Sequence, residues 1–314
     1  MNLKTPIASL LALFVAACGG AGDHQATAHE VDGDGAASAE LADLEPGVAY
    51  WIISDDDSTM VLFPTIHVLP SNLRWQSEAL DKRLSEADEI WFEVLPTELN
   101  NQASVQALTM AYGMSPDRPL SERLNSETYD RVDALASDLA LSSERLEPFR
   151  PWMVAVTLAT MDLVRDGFDP ASGVEMVIGR NTPDEKERGL ETVEQQFSFL
   201  GSLSDDIEVA FLESTLGDIE RGQQEIKDFA EAWAVGDLSS LEALVIDSIK
   251  ETSEELYDVI ITRRNENWTT ILSKELEGSG NDFVAVGAAH LIGDDGVPAL
   301  LAARGYTVEG PLRD

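Results

Sequence analysis

Apolar residues recur along this chain in two rhythms, and the change from one to the other marks out its elements. Residues 48–53 and 60–66 are short runs rich in β-branched and aromatic side chains, separated by the Asp-rich stretch 54–58, which is the pattern of a β-hairpin. Residues 75–87 switch to helical spacing, with Leu80 and Leu84 on one face, and 89–95 return to a strand. From Thr97 to Glu277 the spacing is mostly helical and predicts helices over 102–112, 126–139, 151–164, 193–200, 204–233, 238–249 and 253–276. Ser121 and Ser126 read as N-caps, Pro151 as a first-turn residue, and Pro148-Phe-Arg-Pro-Trp152 as a joint between helices. The chain then closes with a strand over 282–286, a helix over 297–304 and a strand over 305–309.

The first and last units share one order: strand, histidine, helix, strand. Met60 to Ile66 runs out onto His67, and Phe283 to Val286 leads through Gly287-Ala-Ala to His290. The fold class that follows is α/β (α+β), two strand–His–helix–strand units forming a central sheet with a large helical insert between them. The chain has four histidines. Two of them, His24 and His29, lie in a weakly apolar segment, so the folded part keeps His67 and His290, both at strand exits. Ligands of open α/β sheets gather at the carboxyl ends of strands, which makes these two candidate neighbours in one site.

Composition narrows the functions. With 44% hydrophobic residues in 314, the chain can bury a sizeable core, and a single domain over 46–314 is expected because the matching strands lie at opposite ends. Acidic residues outnumber basic ones 58 to 21, for a net charge of −37. Such a surface repels nucleic acid and anionic headgroups and concentrates cations. The lone cysteine, Cys18, excludes an internal disulfide and a thiolate metal cluster. Residues 1–17 have the layout of a secretory signal, and Val15-Ala-Ala-Cys18 resembles a bacterial lipobox, in which Cys18 is the lipidated residue. Residues 18–45 read as a flexible acidic tether. Gly19 after the cysteine points to lipid anchoring in the outer membrane, on its periplasmic face, under the sorting habits of enteric bacteria.

Several polar residues stand out against apolar surroundings. Glu93 is a carboxylate amid Trp91, Phe92, Val94 and Leu95, costly there unless paired or facing outward from an edge. Gly173-Val-Glu175 follows a turn, and Gly189-Leu-Glu191 reads as a short strand leading to a helix capped by Thr192 with Gln195 three residues on. Arg264, Asn265 and Trp268 share one helical face. Capping or a solvated ion pair accounts for each of these as readily as a site does.

Together the hairpin unit, Gly189-Leu-Glu-Thr with Gln196, Arg264-Asn265 with Trp268, and Val286-Gly287 with His290-Leu291 and Gly293 resemble the TraB/GumN family, whose relatives include the Tiki proteases. The resemblance spans about residues 49–309. It departs at Pro64-Thr-Ile-His67, where the family has Gly in place of Pro64. A metal-dependent hydrolase of peptide or ester bonds is implied, with a divalent ion (manganese, cobalt or zinc) on His67, Glu93 and His290. Catalytic roles are implied for Glu93, His67 and Arg264, and supporting or substrate-contacting roles for Glu175, Glu191, Gln195 and Asn265. The implied partners are a peptide or small-molecule substrate and, through Cys18, the membrane. A more distant kinship with erythromycin esterases and haem-binding lipoproteins of the ChaN type leaves open a lipoprotein that binds haem, metal or another small ligand without catalysis.

Overall fold

The hairpin forms where the alternation puts it. In the computed structural model β1 (Tyr50–Ser54) pairs antiparallel with β2 (Ser58–Thr65), Trp51 opposite Leu62 and Ser54 opposite Thr59. Asp55 closes the turn by accepting the Ser58 N–H at 2.9 Å. The structure describes residues 47–222 and 224–313 together with Leu41 and Leu44; the expected signal, Cys18 and the tether with His24 and His29 lie outside the described residues.

On its other side β2 pairs in parallel with β7 (Gly280–Gly287), Thr65 opposite Gly287. β4 (Glu89–Phe92) lies parallel to β7, β6 (Glu187–Gly189) lies parallel to β4, and β8 (Thr307–Leu312) closes the far edge antiparallel to β1. The order is β6-β4-β7-β2-β1-β8, and β1 alone runs against its neighbours. A separate two-stranded piece joins β3 (Leu69–Pro70) to β5 (Phe168–Asp169). The central sheet with its helical insert is as expected. The two units interleave: β7 of the second inserts between β2 and β4 of the first, which makes the exits of β2 and β7 adjacent. Strands flanked on both sides and covered on both faces need apolar residues throughout, which is why β2 and β7 read as continuous apolar runs.

Pro64 fits this sheet for a local reason. Pairing with β1 reaches only as far as Leu62, and the Pro64 carbonyl points away from the ladder to accept the Trp233 indole N–H at 3.0 Å. The missing N–H therefore lies on the side where no strand asks for it.

The helices that matter for the site are α1 (Glu78–Glu86), α2 (Ser126–Asp138), α3 (Pro151–Arg165), α4 (Val174–Asn181), α5 (Val193–Gly201), α6 (Asp205–Arg221), α7 (Gln224–Ala234), α8 (Arg263–Leu276) and α9 (Val297–Ala303). Three expectations change. The cap of α2 is Asn125, whose Oδ1 accepts the Thr128 N–H at 2.9 Å, and Ser126 is the first helical residue. Ser121 sits inside the short turn Leu120–Arg123, where Pro119 precedes the helix, and bonds Glu147. The helix expected over 204–233 breaks at Gly222, whose φ of +91° suits glycine. Pro151 does open α3, and Thr192 with Gln195 does form a reciprocal capping box on α5. Trp152, Trp233 and Trp268 are fully buried; Trp233 ties the helical insert to β2 through the Pro64 carbonyl, and Trp152 packs edge-on against Phe197 within the insert. Among the described residues no helix is long and apolar enough to cross a membrane.

Candidate functional site

Six segments converge at the carboxyl ends of β2, β7 and β4. From β2 come Thr65 and His67. The chain beside them is Gly173, which has no room for a side chain: a Cβ there would stand 2.1 Å from the His67 carbonyl oxygen. This close approach lets Val174 donate its N–H to the Ile66 carbonyl at 3.0 Å and brings Glu175, in the first turn of α4, to His67. The His67 Nδ1 lies 2.7 Å from Glu175 Oε1, which also accepts from the Thr65 hydroxyl. Glu175 Oε2 is buried and has no hydrogen-bond partner among the described residues. Burial alone would lower the His67 pKa; the charge and hydrogen bond of Glu175, aided by Glu93, outweigh it and hold the imidazole above its ordinary range. A proton on Nδ1 facing a carboxylate leaves Nε2 as the base or ligand nitrogen.

Glu93 lies one residue past β4 and is only 2% exposed. Its Oε1 accepts the Gly287 N–H at 2.7 Å, and its Oε2 accepts from Arg264 Nη2 at 2.6 Å and Gln196 at 3.2 Å. The Glu191 N–H donates to the Glu93 carbonyl at 2.9 Å, so pairing continues beyond β6 and sets the two carboxylates side by side. Glu191 takes Arg264 Nη2 at 2.5 Å and Nε at 3.1 Å, Gln196 at 2.9 Å and the Trp268 indole at 3.2 Å. Burial pushes the Glu191 carboxyl up, and Arg264 works against that rise.

Arg264 spends every N–H it has: Nε on Glu191, Nη2 on Glu93 and Glu191, Nη1 on the Ile260 carbonyl at 3.2 Å and on His290 Nε2 at 3.0 Å. Its guanidinium also stacks 4.7 Å from the Trp268 ring centroid. A π turn over Asp258–Thr262 immediately precedes α8 and sets the angle at which Arg264 enters the site. His290, with no exposure, lies between Arg264 and Asn265, whose Oδ1 is 2.6 Å from Nδ1; Asn265 is itself oriented by donating to the Asp295 carbonyl at 2.7 Å. Because arginine can only donate, Nε2 accepts and Nδ1 carries the proton. Burial, then Arg264 and His67, pushes the His290 pKa well below its ordinary value, so this imidazole is neutral.

His67, Glu93, His290, Glu175, Glu191, Arg264 and Asn265 thus come together. Gln195 does not: its side chain caps α5 at the surface, and its neighbour Gln196 reaches both Glu93 and Glu191. One expected role shifts: both ring nitrogens of His290 are committed to protein partners, where a metal ligand was expected. Arg264 is spent on pairing with Glu191 and Glu93. Among the described residues the three-residue set with ligand atoms close enough to share an ion is Glu89, Glu275 and Asp282, at the opposite end of the sheet. Thr65 goes unnoticed in the sequence, where a hydroxyl two residues before His67 is its signal, and Gln196 enters there only as a motif residue without a site role.

Sequence comparison agrees with this architecture. A sequence model of the TraB/PrgY/gumN family matches residues 49–310, and the chain belongs to that family. It is 23% identical over 152 residues to an uncharacterized protein of Treponema pallidum, covering 48% of this chain and 46% of the relative. It is likewise 23% identical over 184 residues to the uncharacterized protein YbaP of Escherichia coli, covering 58% of this chain and 67% of the relative. The chain thus spans about half the length of the Treponema relative and two thirds of YbaP. No solved structure matches.

Proposed function

We propose that this chain is a metal-dependent hydrolase of peptide or ester bonds, held in the cell envelope by lipid on Cys18. The observation that carries the reading is an excess of buried negative charge beside an oriented imidazole. Among the described residues Glu93 and Glu191 share one guanidinium, Arg264, while Glu175 is paired with His67, so three buried carboxylates face one fixed cation and an imidazole. Buried charge without compensation is strongly unfavourable, so the donor set fits a divalent cation. His67 through Nε2 and Glu93 through Oε1 would hold it, with Glu175 fixing the His67 tautomer as carboxylates commonly do behind metal-ligating histidines. When bound, such an ion supplies Lewis-acid polarisation of a carbonyl and makes a water more acidic.

The chain's own residues have separable tasks. Glu175 orients His67 and keeps its proton on Nδ1, so that the Nε2 lone pair faces the ion. Arg264 holds Glu93 and Glu191 in register. Neutral His290, braced by Asn265, keeps Arg264 from swinging toward solvent. Burial of all these groups excludes bulk water and strengthens each electrostatic contact. The test is hydrolysis of a peptide and ester library by the full chain with manganese, cobalt or zinc: turnover that a chelator abolishes and His67→Ala lacks is expected. Metal binding without turnover of any library member would favour the second reading, a non-catalytic binder. Near-complete closure of the site supports that alternative, since Glu93 and Arg264 are 2% and 5% exposed.

A further inference from the structure

Three of the elements that build the candidate site, β4, β7 and α8, meet again at their opposite ends. β4 presents Glu93 at its exit and Glu89 at its start. β7 presents Gly287 and His290 at its exit and Asp282 near its start. α8 carries Arg264, Asn265 and Trp268 in its first two turns and Glu275 in its last. Glu89 stands opposite Asp282 in the parallel register, and Glu275 reaches both from the helix end, with one carboxylate oxygen of each residue within 4.8 Å of the others.

Asp282 separates this cluster from an ordinary acidic surface. It is 8% exposed, and among the described residues its side chain makes no hydrogen bond or ion pair, while its oxygen points at Glu89 and Glu275. Buried carboxylates are nearly always satisfied. One cation is close, Arg188, but it bonds Glu89 at 2.5 Å. Asp88 adds a further carboxylate nearby, bonding the Asn281 N–H at 3.0 Å. The C-terminal end of α8 contributes negative partial charge to the same place. Burial first, then Glu275, Glu89 and Asp88, pushes the Asp282 carboxyl up to about 7.

We propose that Glu89, Asp282 and Glu275 form a second cation site, for a hard divalent ion of the calcium class, that fastens the start of β4, the start of β7 and the end of α8 together. All three ligands are carboxylates, and oxygen atoms within 4.8 Å of one another suit an ion that bonds oxygen at roughly 2.3–2.6 Å. The absence of nitrogen or sulfur donors favours calcium or magnesium over zinc. Because those elements also carry Glu93, His290 and Arg264, the ion would stiffen the scaffold of the candidate site without touching it.

The test is calorimetric titration and thermal unfolding of the full chain with calcium chloride at up to ~1 mM, for wild type, Asp282→Asn, Glu275→Gln and His67→Ala. Wild type and His67→Ala should bind one equivalent and gain several degrees in Tm. Asp282→Asn and Glu275→Gln should bind at least ~10-fold more weakly and lose the calcium-dependent gain. Glu275→Gln is the safeguard, since it alters a half-buried helix end and leaves the sheet intact. Equal binding by wild type and both carboxamide variants, or no binding by wild type, overturns the proposal. Loss of binding in His67→Ala alone would move the ion to the candidate site. Calcium binding here is independent of whether the chain hydrolyses anything, so the two readings fail separately.

Discussion

Replacing Arg264 by methionine removes the one cation that Glu93 and Glu191 share while keeping most of the side chain's volume. The guanidinium donates to Glu93 at 2.6 Å and to Glu191 at 2.5 Å and 3.1 Å, inside a region with almost no exposure. Breaking a buried pair by deleting one partner typically costs about 3–5 kcal/mol. Two carboxylates lose a partner here, but both keep others: Glu93 retains the Gly287 N–H, Glu191 retains the Trp268 indole, and Gln196 bonds both. The expected loss is therefore about 4 kcal/mol, a large part of the roughly 5–15 kcal/mol that holds a domain folded. Equilibrium urea unfolding followed by tryptophan fluorescence measures it. The penalty should depend on pH with a definite sign. Burial already raises the Glu191 carboxyl against the pull of Arg264, and without Arg264 it rises further, so destabilisation grows as pH climbs past the unfolded carboxyl range and relaxes toward pH ~4. Adding Glu191→Gln should recover about 2 kcal/mol, because one unpaired charge is gone. A loss below about 1 kcal/mol at neutral pH, or a penalty that does not change with pH, would refute the view of Arg264 as the buried counter-charge.

Three further outcomes follow from the same geometry. Gly173→Ala should destabilise the chain by about 1–3 kcal/mol and separate His67 from Glu175, because the new methyl would meet the His67 carbonyl at 2.1 Å; denaturant titration reads the first effect and loss of metal affinity the second. Glu175→Gln should weaken metal binding about 10–100-fold while leaving far-UV circular dichroism unchanged. Asp162 is raised from 3.8 to about 6, by burial first and by Asp166 and Asp138 against Arg165. The folded state thus keeps a proton that the unfolded state gives up, and stability should fall by about 3 kcal/mol as pH rises from ~4 to ~6; Asp162→Asn should flatten that slope in unfolding curves.

Much of the fold is legible in the chain because its signals are local. Apolar runs ending in His67 and His290 declare two strands and their exits, and helical spacing between them declares the insert. What the chain alone conceals is pairing between distant segments. Nothing near Glu191 announces that it shares Arg264 with Glu93, since that depends on pairing that carries on past β6 to place Glu191 beside Glu93. Gln195 carries a visible capping signal, and it masks Gln196, which faces the site only because the helix turns. His290 looks like a ligand in sequence, and only three dimensions reveal that Arg264 and Asn265 take both its nitrogens. Ser126 lost the cap to Asn125 by one residue, as expected where two capping residues adjoin and either can start the helix.

The most direct test of the central claim is metal stoichiometry. The full chain carrying Asp282→Asn, so that the acidic cluster is out of play, would be equilibrated with manganese, cobalt or zinc and analysed beside the same chain with His67→Ala. About one equivalent retained in the first and none in the second is the result expected if His67 anchors a metal centre. Equal metal content in the two, or none in either, would contradict it.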